Sequence, residues 1–323
     1  MIGRVGQMVV AVGVALMALG ILIAASDGPG KSIRQPAPTP PPTPLPSYTT
    51  LDKAVRGVEN YAPDVRMVER MRKALANYNA GEYDATVAQH GVSVLAAKWS
   101  GEDRQVVRFE VFAEYMDGYA AWENAVVVDV GCGQGALLEH VHTTRPGTKV
   151  KYLGIDVSRN MVVAAKLRFG TASGKLRQAA LADNPRFGTA SVFPLPEGSH
   201  KPKFVRGDFL DEAVGIPADY YVCSGCMTIG NGRAWAVVSK AFVAKMGSLA
   251  RRGILFNMLS TRHMKSLNGF AFYNYEEIQA WVSSIFPQAV VHARHDYLEY
   301  RDFTIFVEFP DPFSEHSEHH DDL

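Results

Sequence analysis

The most distinctive chemistry in the chain lies in Val126-Val127-Val128-Asp129-Val130-Gly131-Cys132-Gly133-Gln134-Gly135, a β-branched run ending in a turn of small residues. Glycines in such a turn permit positive φ and let a ligand lie against the backbone with no Cβ in the way. The helical pattern that follows, Leu137–His142, presents free N–H groups toward the same crevice. A second signal comes at Tyr152-Leu153-Gly154-Ile155-Asp156-Val157-Ser158, where an acidic residue ends the next apolar run. At that distance from the glycines, Asp156 is placed to accept hydrogen bonds from ribose hydroxyls. The two motifs, in this order and each at a strand end, predict a nucleotide-type cofactor site. A tight turn beside an exposed aspartate would explain neither the spacing nor the glycine density.

Two cofactors compete for that site. Gly131-x-Gly133-x-x-Ala136 satisfies the looser dinucleotide fingerprint, which keeps a nicotinamide-dependent (NAD or NADP) oxidoreductase as a rival. Asp129 argues against it, because a carboxylate facing the mouth of the site repels a pyrophosphate and attracts the ammonium of a methionine moiety. A sulfonium cofactor carries positive charge and no phosphate, so Asp129 and Asp156 both suit it.

With these residues the chain resembles the class I S-adenosylmethionine-dependent methyltransferases, over roughly Tyr83 to Phe309. The resemblance implies an α/β fold: a Rossmann-like, seven-stranded sheet of order 3-2-1-4-5-7-6, its last strand antiparallel, with a helical N-terminal cap. It implies cofactor contacts from Asp129, Gly131, Cys132, Gly133, Gly135, Asp156 and Val157. Gly207-Asp208-Phe209 is similar to the element that lines the adenine, with Asp208 toward its amino group and Phe209 beside it. Tyr221-Val222-Cys223-Ser224-Gly225 is similar to the fourth-strand motif beneath the transferable methyl, which adds Ser224. Lys98-Trp99-Ser100-Gly101 with Arg108-Phe109, Phe256–Ser260 and Arg294–Leu298 resemble a bacterial-type group whose substrates are mostly unassigned. The Asn/Asp-Pro-Pro-Tyr motif of adenine and glutamine N-methyltransferases is missing after the fourth strand. The expected activity is methyl transfer to an unidentified small-molecule acceptor, with a non-catalytic S-adenosylmethionine-binding protein as a further alternative.

Methyl transfer is an in-line displacement in which positioning supplies much of the acceleration, and a base is needed only when the acceptor is protonated. His295, Asp296 and Tyr297, at the end of the sixth strand, are the catalytic candidates; His263 and His90 are further ones, with a structural or surface histidine as the plain alternative. Cys223-Ser224-Gly225-Cys226 has redox or metal spacing, but no second pair accompanies it, so no metal is expected. Cys132 reads as a small filler. Trp99, Phe109 and Phe209 are placed either to stack on a ligand or to pack the core.

The elements that must position these residues follow from the apolar pattern. Short β-branched runs at Ala125–Val130, Val150–Ile155, Lys203–Gly207, Tyr220–Cys223 and Gly253–Phe256 alternate with helical stretches such as Arg159–Arg168 and Ala234–Leu249. That alternation predicts a largely parallel sheet. Ala289–Ala293 and Phe303–Phe309 are joined too closely for a parallel crossover, so they predict an antiparallel hairpin. Residues 48–124 read as the helical cap, with Leu51–Tyr78 and Val106–Tyr119 as its helices, and 125–310 as the catalytic domain. Gly170–Pro202, rich in Gly, Pro, Ser and Asn, reads as a long surface insertion.

Outside these lie three segments of different character. Residues 1–26 contain the uncharged run Met8–Ala25, long enough to cross a bilayer core of about 30 Å. It reads as a retained anchor, as a signal peptide cleaved near Ala24-Ala25-Ser26, or as the product of an upstream start with no role. Lys31 and Arg34 after the run, against Arg4 before it, favour a membrane-anchored protein with a cytoplasmic catalytic domain, or a cytoplasmic one if the segment is unused. Residues 27–47 are proline-rich and read as an extended spacer, and the acidic, His-rich 311–323 as a disordered tail. The 323 residues are 47% apolar, and 33 Lys plus Arg balance 33 Asp plus Glu. Zero formal charge gives no electrostatic footprint for nucleic acid. Three cysteines make no disulfide framework and fit a reducing compartment.

Overall fold

The computed structural model describes residues 65–93, 95–98, 101–118, 122–228, 232–265, 267 and 269–310. The Met8–Ala25 run, the proline-rich spacer, Trp99 and the tail lie outside the described residues.

The sheet grows from β1 (Val126–Val130), buried at four of its five positions, which is what a near-continuous apolar run becomes in the middle of a parallel sheet. It pairs in parallel with β2 (Lys151–Asp156) on one side and β4 (Ala218–Cys223) on the other. β3 (Lys203–Arg206) adds outside β2, and β5 (Ala250–Ser260) outside β4. β8 (Asp302–Glu308) then runs antiparallel between β5 and β7 (Val290–Arg294), which is the predicted hairpin. The order is β3-β2-β1-β4-β5-β8-β7. An eighth strand, β6 (Phe272–Tyr273), pairs with Leu259 and Ser260. It exists because β5 is longer than its apolar middle, continuing past Phe256 to Ser260. With β6 set aside, the expected seven-strand order is recovered.

Helices cover both faces. The cap supplies α1 (Val65–His90) and α2 (Glu102–Gly118); α1 extends twelve positions beyond the predicted end at Tyr78. α3 (Ala136–Thr144) follows the glycine turn and α4 (Arg159–Arg168) follows β2, with Ser158 Oγ accepting from the Met161 N–H at 3.0 Å as its cap. α6 (Gly232–Leu249) connects β4 to β5, and α7 (Tyr275–Ile285) connects β6 to β7. α7 begins at Asn274, whose Oδ1 accepts from Glu277 N at 2.9 Å. One core packs Phe112, Met116 and Leu138 against Val127 and Tyr152; the other packs Trp235 and Met246 against Tyr221, Phe256 and Phe303.

The 170–202 segment, read as a long surface insertion, carries regular structure of its own. It contains α5 (Gly174–Asp183) and a 3-10 turn at Pro185–Thr189. Ala180 and Phe187 are buried against Val163, Ala164 and Leu167 of α4. Ser173 and Asn184 act as caps rather than breakers: Ser173 accepts from Leu176 N, and Asn184 from Arg186 N.

Candidate functional site

A cavity of about 700 Å³ opens at the carboxyl ends of β1, β2, β4 and β5, where open α/β sheets place ligands. Its floor is the glycine turn. Gly131, Gly133 and Gly135 all have positive φ, at 72°, 53° and 79°. The three differ in what surrounds them. A Cβ on Gly131 would sit 2.6 Å from Cys226 Cβ, and one on Gly135 would sit 2.6 Å from Phe169 Cε2. A Cβ on Gly133 would meet only Met161 Sδ, at 4.0 Å, and would stand in the space a ligand needs. Gly135 does not line the cavity; it lets α3 pack against Phe169 and Phe204.

Asp156 ties this turn to the end of β2. Its Oδ2 accepts from Gly133 N at 2.9 Å and its Oδ1 from Ser158 N at 2.8 Å. Burial outweighs those donors and raises its pKa to about 6. Asp129 sits deeper than a position at the mouth. It is 3% exposed, its Oδ2 accepts from Tyr152 Oη at 2.5 Å, and burial, offset by that hydrogen bond and aided by the charge of Asp156, raises its pKa to about 7. Cys132 is the filler expected: its Sγ occupies the space a Cβ on Gly154 would take, and burial pushes its thiol up. Val157 lines the cavity beside Asp156.

Asp208, Phe209 and Ser224 also line it. Asp208 Oδ1 accepts from Leu210 N at 3.0 Å, while Oδ2 pairs with Arg72 Nη1 of α1. Phe209 is buried between Tyr221 and Phe242, with ring centroids 5.6 Å from each. Ser224 Oγ accepts from Asn257 Nδ2 at 3.3 Å. Cys223 and Cys226 form a disulfide, with Cα atoms 6.2 Å apart. The pair is therefore neither a metal half-site nor two free thiols, and Cys226 lines the cavity. Among the described residues no group of three His, Cys, Asp or Glu could hold a metal ion.

The three catalytic candidates lie off the cavity. They leave β7, the edge strand beyond β8, and the segment reaches the cavity only further on, at Leu298 and Arg301. His295 packs against Tyr275 with the rings tilted and centroids 4.8 Å apart, and its Nε2 faces Tyr300 O at 3.3 Å; burial lowers its pKa. Asp296 is exposed and accepts from Arg294 Nε at 2.9 Å. Tyr297 Oη bonds Thr304 Oγ1 at 2.7 Å in the core. His90 is exposed and away from the cavity, whereas His263 is exposed and lines it; Phe109 is buried and lines it.

The same hairpin supplies different residues. β8 runs antiparallel to β5, so its first residue, Asp302, comes to the cavity edge. Asp302 is fully buried; Oδ2 accepts from Arg108 Nε of α2, and Oδ1 has no hydrogen-bond partner among the described residues. Arg108 lines the cavity too. The sequence offers Arg108 only through the resemblance, and marks Asp302 only as an aspartate opening a run as apolar as Phe303–Phe309. The cap's latch was also missed: Asp84 Oδ1 accepts from Ser158 Oγ at 2.6 Å and from Asn160 N at 2.9 Å.

The strand order, the antiparallel strand inserted before the edge, and an acidic β2 end hydrogen-bonded to the glycine turn now stand together. The fold is that of a class I methyltransferase. No protein-family model matches the chain. It is 30% identical over 136 residues, 41% of its length, to a Mycobacterium tuberculosis protein named "Putative methyltransferase Rv1506c". The chain spans 62% of the length of that curated relative. Solved structures similar to this methyltransferase fold include magnesium protoporphyrin IX methyltransferase from Synechocystis PCC 6803 with bound S-adenosylmethionine. That likeness is 14% identical, covers 78% of this chain and all of the other, and has a TM-score of 0.48. Human N-acetylserotonin methyltransferase with the same ligand is 14% identical, over 57% of this chain and 47% of its own, with a TM-score of 0.38.

Proposed function

We propose that the chain transfers a methyl group from S-adenosylmethionine to a small-molecule acceptor. The observation that carries this is the pairing of two buried carboxylates, Asp129 and Asp156, with a glycine turn left open at Gly133. The donor set suits a cationic, phosphate-free ligand, and a pyrophosphate on the same turn would lie between two acids. The bound cofactor supplies an electrophilic methyl on a sulfonium.

In this reading the holding residues are those of the glycine turn and the strand ends. The Gly131–Gly133 backbone gives close approach, Asp156 is fixed by two backbone donors with lone pairs left for ribose hydroxyls, and Asp129 answers the ammonium. Asp208 and Phe209 would hold the adenine end, and Ser224 would line the methyl end. The acceptor end is framed by Asp302 and Arg108. Met264, Leu267 and Phe270, exposed at 38%, 50% and 38%, also line the cavity there. These apolar side chains give a small molecule a surface to pack on, beside the cations Lys98, Arg104 and Arg301 of the same lining. In this reading Asp302 takes the proton from an acceptor hydroxyl or amine, and Arg108 holds the carboxylate in position.

Titration calorimetry of the full chain with S-adenosylmethionine, its demethylated product and NAD(P) tests the reading. Heat with the first two supports it; heat with NAD(P) alone would falsify it in favour of an oxidoreductase. Label from methyl-labelled cofactor appearing in a metabolite extract separates an enzyme from a non-catalytic binder.

We also retain Met8–Ala25 as an anchor that keeps the catalytic domain on the cytoplasmic side, where the cofactor is made. Among the described residues no helix is long and apolar enough to cross a membrane. Fractionation of the full chain between membrane and supernatant tests the anchor.

A further inference from the structure

Cys223 and Cys226 take no part in the proposed methyl transfer, yet their disulfide joins the end of β4 to the cavity wall. Cys223 is completely buried, fixed among the sheet residues of the second core. Cys226 is partly exposed and faces the cavity. It also rests directly on the glycine turn, since a Cβ on Gly131 would fall 2.6 Å from Cys226 Cβ. Around it the turn is tied down. Gly225 N donates to the buried Asn257 Oδ1 at 2.8 Å, and Thr228 Oγ1 donates to Gly225 O at 2.6 Å.

We propose that Cys223–Cys226 is a redox-active pair whose oxidised form holds the cofactor cavity open, and that small dithiols entering the cavity are its reductants. The proposal rests on the cofactor reading above. The physical reason is a spacing that must change. Bonded sulfurs lie about 2.05 Å apart. Once the bond is broken they must separate to at least about 3.5 Å, the distance of ordinary non-bonded contact. Cys223 cannot yield, because the packed sheet surrounds it. Cys226 must move, and its two sides are the Gly131 turn and the cavity. Either displacement intrudes where the cofactor would lie, so reduction weakens cofactor binding.

The exchange balances. A thiolate of the dithiol attacks Cys226 Sγ, the exposed sulfur; that bond forms as the Cys223–Cys226 bond breaks, and the electron pair leaves on Cys223 Sγ, which takes a proton. The dithiol's second thiol then attacks the mixed disulfide, closing the reagent's own disulfide and releasing Cys226 as a thiol. Two electrons and two protons pass to the protein, and an oxidised dithiol reverses the step. A ligand seated in the cavity bars the approach to Cys226, and linkage requires that whatever reduction does to cofactor affinity, the cofactor does to reduction.

The test uses the full chain equilibrated with oxidised or reduced dithiothreitol, with alkylation by iodoacetamide read by intact mass and affinity for the demethylated cofactor read by calorimetry. The oxidised protein should take one label after denaturation, on Cys132, and the reduced protein three. The reduced form should bind at least fivefold more weakly, and saturating ligand should slow labelling of Cys226 in dithiothreitol at least fivefold. Three labels in the oxidised sample, or equal affinity in both states, overturns the proposal. The variant Cys226→Ala provides the second arm: its affinity should not respond to dithiothreitol, and a response overturns the assignment. Loss of heat in both redox states overturns the cofactor reading instead, and the label count still decides whether the pair is redox-active.

Discussion

Arg108 and Asp302, 194 positions apart in the chain, form an ion pair in the cavity wall with side chains only 8% and 0% exposed. One oxygen of the carboxylate is engaged by the guanidinium and the other has no hydrogen-bond partner among the described residues. A buried pair of this kind is costly to break from one side, because it strands a charge. Arg108→Met should therefore destabilise the protein by about 3–5 kcal/mol in a urea melt. Asp302→Asn keeps the shape and removes the basic oxygen. Its affinity for the demethylated cofactor should stay within about twofold while methyl transfer falls on the order of 100-fold, the usual scale of a lost general base. Transfer at the parental rate would take Asp302 out of the chemistry.

Asp156 makes a different kind of contribution, because it serves the fold and the ligand together. Removing its carboxylate frees the N–H groups of Gly133 and Ser158 and loosens the turn that faces the cofactor. Hydrogen bonds to a charged group are worth about 1.5–3 kcal/mol each. Asp156→Ala should therefore weaken binding of the demethylated cofactor by roughly 100-fold or more in calorimetry, with the far-ultraviolet circular dichroism unchanged. Unaltered affinity would remove Asp156 from the site.

The strands, their hairpin and the glycine turn were legible because they are local, and the strand order came with the resemblance that these motifs carry. An apolar β-branched run, a turn of small residues and a helix pattern each occupy about ten neighbouring positions, and the close spacing of the last two strands dictates a hairpin. Nine of the ten cofactor-contact candidates line the cavity for the same reason, Gly135 being the exception. The acceptor side was not legible, because it is assembled across the chain. Asp302 reaches the cavity only because β8 runs backwards beside β5, and Arg108 only because α2 packs over that end. His295, Asp296 and Tyr297 have the chemistry of a base, but which residues of the segment after the edge strand turn into the cavity is a matter of its tertiary path, and those are Leu298 and Arg301. The latch between Asp84 and the start of α4 is equally non-local, and α5 was hidden because Ser and Asn caps count as breakers in a composition window.

Gly131 and Gly133 should separate stability from binding. Both have positive φ, so alanine at either carries backbone strain of about 1–3 kcal/mol. At Gly131 the new Cβ also collides with Cys226 Cβ. Gly131→Ala should thus lose clearly more thermal stability than Gly133→Ala, read in parallel melts without ligand. Gly133→Ala has room within the protein but fills the cavity floor, so it should lose cofactor binding out of proportion to its stability. Equal binding losses at equal stability would show that the open face of Gly133 is not where the ligand lies.

Asp129 predicts a pH dependence whose sign is fixed by burial. Its pKa is raised from the unfolded value near 3.8 to about 7, and that of Asp156 to about 6. Between those limits the folded chain binds more protons than the unfolded one, so these groups make stability fall as pH rises. Their contribution is complete below about pH 4 and is lost as pH passes 6 to 7. The ligand-free protein should therefore melt at progressively lower temperature from pH 5 to pH 8. A cationic ligand reverses the balance, because an ammonium beside Asp129 favours the ionised carboxylate and draws its pKa down. Binding then releases a proton, and affinity for S-adenosylmethionine should climb with pH up to about 7 and level off above it. Calorimetry in two buffers of different ionisation enthalpy reads the proton release directly at pH 6. The substitution Asp129→Asn should abolish both the release attributed to this group and most of the rise in affinity; a rise that persists in the variant assigns it elsewhere.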